Sequence, residues 1–403
     1  MKILILTNKM PYPPHDGGSI ASLTLAMSLH KCGNEVEILS MNTSKHYFDI
    51  KNIPSEVSSK IKLYCVDINT DTKIIKAVGN FLFSSTPYNA ERFISKAFDS
   101  KLTELLQTNS YDIIQLEGLY LCPYIDTIRN FSKAKISLRA HNIEHEIWTR
   151  AAVNERQKLK KIYKNNLAVR IRKFKLNYIN KYDFLIPITS RDANLYGVFG
   201  NTMPVHVTPT GIDTNSNLFN SRSATSNFPG FFHIGALDWI PNIEGLTWFI
   251  ENVWKKFTKK YPDFKFSIAG RNASEEFAKY LIQNNINYVG EVDNASEFIA
   301  KGSVMIVPLL SGSGMRIKII EGMAAGKTII TTSMGTEGIN TTNDENILIA
   351  DTSESFYSQL IRITNSRELH DIISKKAQNF VLKNYDNEKI ANSLTNFYEN
   401  HSN

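Results

Sequence analysis

The chain has little that would tie it to a disulfide scaffold, a metal site or a membrane span. Three cysteines, Cys32, Cys65 and Cys122, lie far apart in 403 residues. With no C-x-x-C or Cys/His spacing among them, they read as reduced, structural thiols. No run reaches the roughly 18 apolar residues of a membrane helix. The start, Met1-Lys2 then Ile3 to Leu6, turns polar too soon for a signal peptide, so a cytoplasmic protein is expected. No Asp-x-Asp triplet or metal-ligand cluster occurs, so neither a catalytic metal nor a cofactor is expected. G-x-G-x-x-G is missing too. The first glycine loop, "NKMPYPPHDGGSI", has another spacing, and no acid stands at a strand end about 20 residues on, which weakens a dehydrogenase reading. There is no solenoid-type repeat.

What is present is alternation. Short β-branched runs and amphipathic stretches succeed one another, as in Ile3 to Thr7, Ser19 to Lys31 and Val36 to Ser40, the pattern of parallel α/β folding. Later strands are expected at 113–116, 136–140, 184–188 and 205–208. "TPTGIDTNSNLFNSRSATSNFPG", Thr208 to Gly230, has no periodicity and reads as a connection between domains. Alternation then restarts at Phe231 to Ile234, with further strands at 264–269, 288–289, 304–308 and 328–332 and a helix from about Asn242. Two domains are expected, 1–214 and 215–382, with a final helical stretch, 383–403, returning to the first.

The formal charge of +7 is concentrated. Arg150 to Lys181 holds eleven Lys or Arg against Glu155, a local +10 that leaves about −3 for the rest. That argues against a diffusely basic nucleic-acid binder. One helix over 144–182 would bury Leu159, Tyr163, Leu167, Ile171, Phe174 and Tyr178. Its other faces would present Lys158, Lys160, Lys161, Lys164, Arg170, Arg172, Lys173 and Lys175. A solvated face is the plain reading; an anionic membrane surface or polyanionic acceptor is the sharper one.

The densest chemistry lies in "VPLLSGSGMRIKIIEGMAAGK". Gly312 and Gly314 permit a tight turn after a strand, and a helix is expected to start near Gly314, so amides and helix dipole attract phosphate. Arg316 adds a bidentate cation, Lys318 lies one turn past Gly314, and Glu321 stands on the same face, placed to accept from ribose hydroxyls. An ordinary loop with a Lys318/Glu321 surface pair is the bland alternative. In the first domain Gly17 and Gly18 allow close approach to an anion before a helix expected at Ser19. His141, in "SLRAHNIEHEIW", stands just past a strand, where open α/β sheets gather active-site residues.

Together these stretches resemble a GT-B-fold retaining glycosyltransferase of family 4 type. The resemblance runs through "MKILILTNKMPYPPHDGG", "AHNIEHEIW", "PITSRD", "TPTGID", "FHIGALDWIPNIEG", "FSIAGR" and "VGEV", and is most specific in "GSGMRIKIIEGMAAGK" with "TTSMGTEGI". It implies two Rossmann-like parallel-sheet domains facing a cleft, a nucleotide-diphosphate sugar donor held by the second and a glycan or lipid-linked acceptor held by the first. Arg316 and Lys318 would neutralise the diphosphate, Glu321 would hold the ribose, Gly17 and Gly18 would approach diphosphate or sugar, and His141 would contact the donor sugar. Gly235, Gly312, Ser313, Gly314 and Met315 would line the donor, with backbone near Glu291 and Val292 facing the base. Transfer would proceed with retention and without a metal, at the inner face of the plasma membrane if the basic helix binds lipid.

Two departures stand out. The family often carries a second glutamate ahead of the position of Glu321 with seven residues between the two, and here that residue is Ser313. The family's frequent Arg and Lys after the second domain's glycine loop are replaced by Asp238 and Asn242, which throws more weight on the cations of the Arg316 helix. Two rival readings remain: a nucleotide-sugar epimerase on a similar plan, and a glycosyltransferase-like binding subunit without turnover.

Overall fold

The computed structural model describes residues 1–14, 16–71, 79–81, 83–153, 155, 157–214, 228–312 and 314–401. Two compact units divide the chain: Met1–Gly211 with Asn387–Asn403, and Ile212–Asp386.

Unit 1 is built on six strands, β1 (Lys2–Thr7), β2 (Glu35–Thr43), β3 (Lys62–Ile68), β4 (Ile113–Glu117), β5 (Lys135–Ala140) and β6 (Phe184–Pro187). They pair in parallel in the order β3-β2-β1-β4-β5-β6. Ile3, Leu4, Ile5 and Leu6 are fully buried, as befits a central strand covered on both faces. The register sets Leu6 beside Leu116 and Glu117 beside Arg139. The carboxyl ends of β1, β4 and β5 therefore share one edge, and the loops carrying Lys9, Gly118 and His141 leave from it.

The last helix, Asn387–His401, belongs to this unit. Ala391, Leu394 and Tyr398 are fully buried in a cluster with Ile3, Ile5, Leu25 and Phe184. Its amphipathic repeat is legible in sequence; that it ends in a buried tyrosine hydroxyl is not.

Unit 2 holds β7 (Phe231–Ile234), β8 (Phe266–Ala269), β9 (Asn287–Gly290), β10 (Val304–Val307), β11 (Thr328–Thr331) and β12 (Leu348–Ile349) in the order β12-β11-β10-β7-β8-β9, again parallel. The helix Ile317–Ala324 follows β10. It approaches its sheet most closely at Gly322, where a Cβ would lie 2.7 Å from Met305 Sδ and 2.8 Å from Ile329 Cδ1.

Several expectations shift. The helix expected over 144–182 is two helices, Glu144–Val153 and Lys158–Tyr178. The second starts where Gln157 is extended and the Glu155 carboxylate takes its amide at 3.0 Å and Lys164 Nζ at 2.7 Å. Leu159, in its first turn, is 83% exposed; the buried stripe is Leu167, Ala168, Ile171, Phe174 and Lys175. Residues 205–208 give one bridge, Leu185 to Val205, rather than a strand. The half-exposed strand β3 escapes the sequence reading because its apolar run is short, opening after Lys62 and broken by Asp67.

Candidate active site

In unit 2 the loop after β10 winds through two left-handed residues, Gly312 (φ 120°) and Gly314 (φ 77°). A side chain at Gly312 would be strained by that conformation, and its Cβ would also lie 2.9 Å from Arg316 Nη2. The helix begins at Ile317, three residues later than expected, because Gly314 is not helical and Arg316 occupies the capping position (φ −91°, ψ 88°). Arg316 is buried, its guanidinium 5.9 Å from the centre of the Trp239 ring and bonded to the Gly314 carbonyl. Ser313 lies outside the described residues.

Lys318 sits in the first turn, and its ammonium points to β7. Its Nζ donates to Asn242 Oδ1 at 2.7 Å and lies 3.4 Å from His233 Nε2. His233, fully buried in β7, has its Nδ1 2.7 Å from the Ile306 carbonyl. Because a carbonyl only accepts, Nδ1 carries the proton and Nε2 turns its lone pair to Lys318. Burial first, and the Lys318 charge second, hold His233 well below the usual histidine range. Gly235 makes room: a Cβ there would lie 2.9 Å from Lys318 Nζ and 3.0 Å from Asn242 Nδ2.

No carboxylate is bonded to Lys318 Nζ among the described residues. Burial, and secondarily the charge of Arg316, lower Lys318 to about 7 against the opposing pull of Glu321. Burial likewise raises Glu321, offset in part by Lys318. A lysine held by neutral acceptors, with its charge disfavoured by burial, is poised to take an anionic ligand.

Glu291 is exposed and Val292 half-buried just past β9, where Gly290 is left-handed (φ 84°). Met315 packs beside the core cluster of Met305, Val307 and Ile320.

In unit 1 the first helix starts at Gly17, two residues earlier than expected, because Asp16 rather than Ser19 caps it. Asp16 Oδ1 accepts from the amides of Gly18 (2.9 Å) and Ser19 (3.1 Å) and from Lys9 Nζ (2.5 Å). Although burial opposes it, the Lys9 charge and these bonds lower Asp16 to about 2. Gly18's amide donates to the Asp16 carboxylate here, and Gly17 is the exposed glycine of the pair.

His141 is bonded through Nε2 to Glu117 Oε2 at 2.7 Å. Glu117 also accepts from Ser22 Oγ (2.6 Å), Gln115 Nε2 (2.5 Å) and Arg139 Nη1 (3.3 Å). Burial alone would raise this carboxyl, but Arg139, then His141, hold it down to about 2. The network borders a cavity of about 190 Å³ lined by Asn8, Lys9, Gly18, Ser22, Tyr120 and His141, among others. Sequence reasoning named His141 but not Glu117, Gln115 and Arg139, and in unit 2 it named Asn242 only as a departure from the family and did not name His233. The signal was available: polar side chains in strands buried on both faces, "IIQLE", "KISLRA" and "FFHI", need a reason.

The fold is that of the GT-B glycosyltransferases: two six-stranded parallel sheets with flanking helices. It is shared with Anabaena Alr3699/HepE solved in complex with UDP (TM-score 0.68, 12% identity, covering 99% of this chain and 100% of that one). Sucrose-phosphate synthase from Thermosynechococcus elongatus shares it too (TM-score 0.69, 15% identity, 99% of each chain). Residues 229–366, which contain Gly235 to Glu321, match the family model "Glycosyl transferases group 1". Over its full length the chain is similar to an uncharacterized 44.6 kDa protein in the cps region of Klebsiella pneumoniae (26% identity, 99% of this chain and 100% of that one).

Proposed function

We propose that the protein is a glycosyltransferase that moves a sugar from a nucleotide-diphosphate donor to a glycan or lipid-linked acceptor in bacterial surface-polysaccharide synthesis. The observation that carries this is Lys318, a half-buried amine on neutral acceptors at the start of a helix behind two left-handed glycines. Arg316 and Lys318 would bind the donor diphosphate and stabilise charge on the departing nucleotide. Glu321 would take the ribose hydroxyls, and unit 1 would take the acceptor. The UDP bound by Alr3699/HepE supports a nucleotide sugar, and the cps-region relative supports polysaccharide synthesis.

Glu117, saturated by four donors, is a poor nucleophile, which speaks against a covalent sugar intermediate on it; on the family resemblance, transfer would be front-side, with retention and without a metal, the leaving phosphate accepting the acceptor's proton. His141 would contact the donor sugar. A thermal-shift panel of UDP-, GDP- and ADP-linked sugars tests the reading. One member should stabilise the protein by about 2.7 kcal/mol at 100 times its Kd; stabilisation by none, or rapid epimerisation of the donor without acceptor, would count against it.

The second half of the proposal is a membrane-facing surface. Of the cations expected on the basic helix, three are engaged internally. Lys175 is buried 2.8 Å from Glu144, Lys164 pairs with Glu155, and Arg170 donates to the carbonyls of Asn80, Ser84 and Thr86. Lys158, Lys160, Lys161, Arg172 and Lys173 remain exposed. Beside them Leu159, Ile162 (60% exposed) and Val169 face outward, and Arg170 ties the same helix to the segment bearing Phe83, 88% exposed. Exposed apolar groups set among cations fit an anionic bilayer surface. The protein should float with phosphatidylglycerol vesicles at low salt, stay behind with phosphatidylcholine, and lose most flotation on Leu159→Asp with Ile162→Asp. Equal behaviour with both lipids would refute this surface.

A further inference from the structure

We infer that Tyr398, on the C-terminal helix, is a positioning residue that reaches His141 through Gln115 and Glu117 and fixes which imidazole nitrogen faces the cavity. The argument starts at Glu117. An ionised carboxylate only accepts hydrogen bonds, so each neighbour of Glu117 must donate. Gln115 must turn its amide nitrogen to Glu117 Oε1, 2.5 Å away. Its Oε1 then faces the other way, to Tyr398 Oη at 2.9 Å, and Tyr398 must donate to it. With its proton committed, Tyr398 accepts from Ser137 Oγ at 2.7 Å. On the other side, His141 Nε2 must carry a proton to donate to Glu117 at 2.7 Å. Nδ1 is the nitrogen left for a ligand.

Every link has one direction, and none can reverse without leaving a buried group unpaired. Tyr398, Ser137 and Gln115 are fully buried, and Glu117 nearly so, where an unmet donor or acceptor is expensive. The helix Asn387–His401 packs on unit 1 through Ala391, Leu394 and Tyr398. A purely apolar anchor would need no hydroxyl at position 398, and this one ends on the only amide side chain in β4, which in turn holds the carboxylate that orients the histidine. Hydrogen-bond partners of an imidazole set its tautomer and ring orientation, and a wrongly held tautomer disables a catalytic histidine even where geometry is kept. The C-terminal helix is therefore part of the site's second layer as well as of the core. The consequence for turnover rests on the transferase reading; the positioning itself does not.

The test uses the full chain labelled with 15N-histidine, with the His141 signal assigned by its loss in His141→Gln. In the wild type the shifts should report the Nε2-protonated form. Tyr398→Phe, which keeps the ring and removes the donor, should move them toward a mixture of tautomers and lower kcat by about 3- to 10-fold with donor KM unchanged. Gln115→Met should act in the same direction. Leu394→Ala, in the same helix but outside the network, should lower the melting temperature and leave the His141 signal in place. His141 shifts unchanged in Tyr398→Phe, or displaced as far by Leu394→Ala, would overturn the proposal. A displaced signal in a protein with no transfer activity would uphold the positioning and sink the transferase reading instead.

Discussion

Replacing Lys318 by Met lowers transfer by about 10²- to 10³-fold, the loss typical of removing one preorganised group from a developing anion. Donor affinity falls as well, by about 10- to 100-fold, since a hydrogen bond to a charged group contributes about 1.5–3 kcal/mol. The same substitution raises the melting temperature. Burial, with the Arg316 charge, lowers Lys318 to about 7 in the folded protein from 10.5, so folding disfavours its charged form. Between about pH 7 and 10.5 the unfolded chain binds more protons, and stability rises with pH across that window. Below pH 7 both states are protonated and the destabilisation is present in full. Met removes it, so the gain in melting temperature is largest below pH 7 and fades toward pH 10. Activity and stability moving in opposite directions marks a residue retained for binding rather than for the fold. Melting curves at pH 6 and pH 9.5 check it; a variant less stable than wild type at pH 6 would show that Lys318 is structural.

Glu117→Gln destabilises unit 1 by about 3–5 kcal/mol, the range for removing one partner of a buried ion pair. Arg139 is fully buried beside it and would keep its charge without a counter-ion. Gln also brings its own donor to a point where Gln115, Arg139 and His141 already donate. For a unit of this size the melting temperature should fall by about 6 °C or more. The pH dependence has a definite sign. The folded carboxyl is lowered to about 2 from 4.5, so its contribution is complete above about pH 4.5 and is lost as pH falls toward 2. Wild type and variant should differ equally at pH 5 and pH 7 and converge only in strong acid. A gap below 1 kcal/mol at pH 7 would mean that the Glu117 network does not hold unit 1 together.

The repeating strand and helix pattern made the central strands of both sheets legible, because strands buried on two faces leave unbroken apolar runs such as "ILIL" and "VMIV", while the edge strands β3 and β12 escaped. The glycine loop and the Arg316 helix were legible for a different reason: left-handed turns need glycine, and cations beside them suggest an anion. What escaped was contact made across the fold. Lys175 reads as one lysine in a basic face, and only the packing of Glu144–Val153 on Lys158–Tyr178 shows it buried against Glu144. Lys318 was found, but its acceptors His233 and Asn242 come from another strand and helix far off in sequence. Asp16 took the capping role expected of Ser19, since a charged side chain on Gly18 and Ser19 amides, braced by Lys9, is the stronger cap. Tyr398 could be assigned to a buried face, but its hydroxyl's partner could not be read without the sheet.

Calorimetric titration of UDP, or of whichever nucleoside diphosphate the shift panel selects, at pH 8 in buffers of differing ionisation enthalpy tests the central claim most directly. At pH 8 Lys318 is mostly neutral in the free protein, and a bound diphosphate should restore its charge. The account predicts uptake of close to one proton per nucleotide in the wild type, tightening of affinity from pH 9 to pH 7, and loss of the uptake in Lys318→Met. Binding with no proton taken up, or with the same uptake in Lys318→Met, would contradict the assignment of Lys318 to the diphosphate.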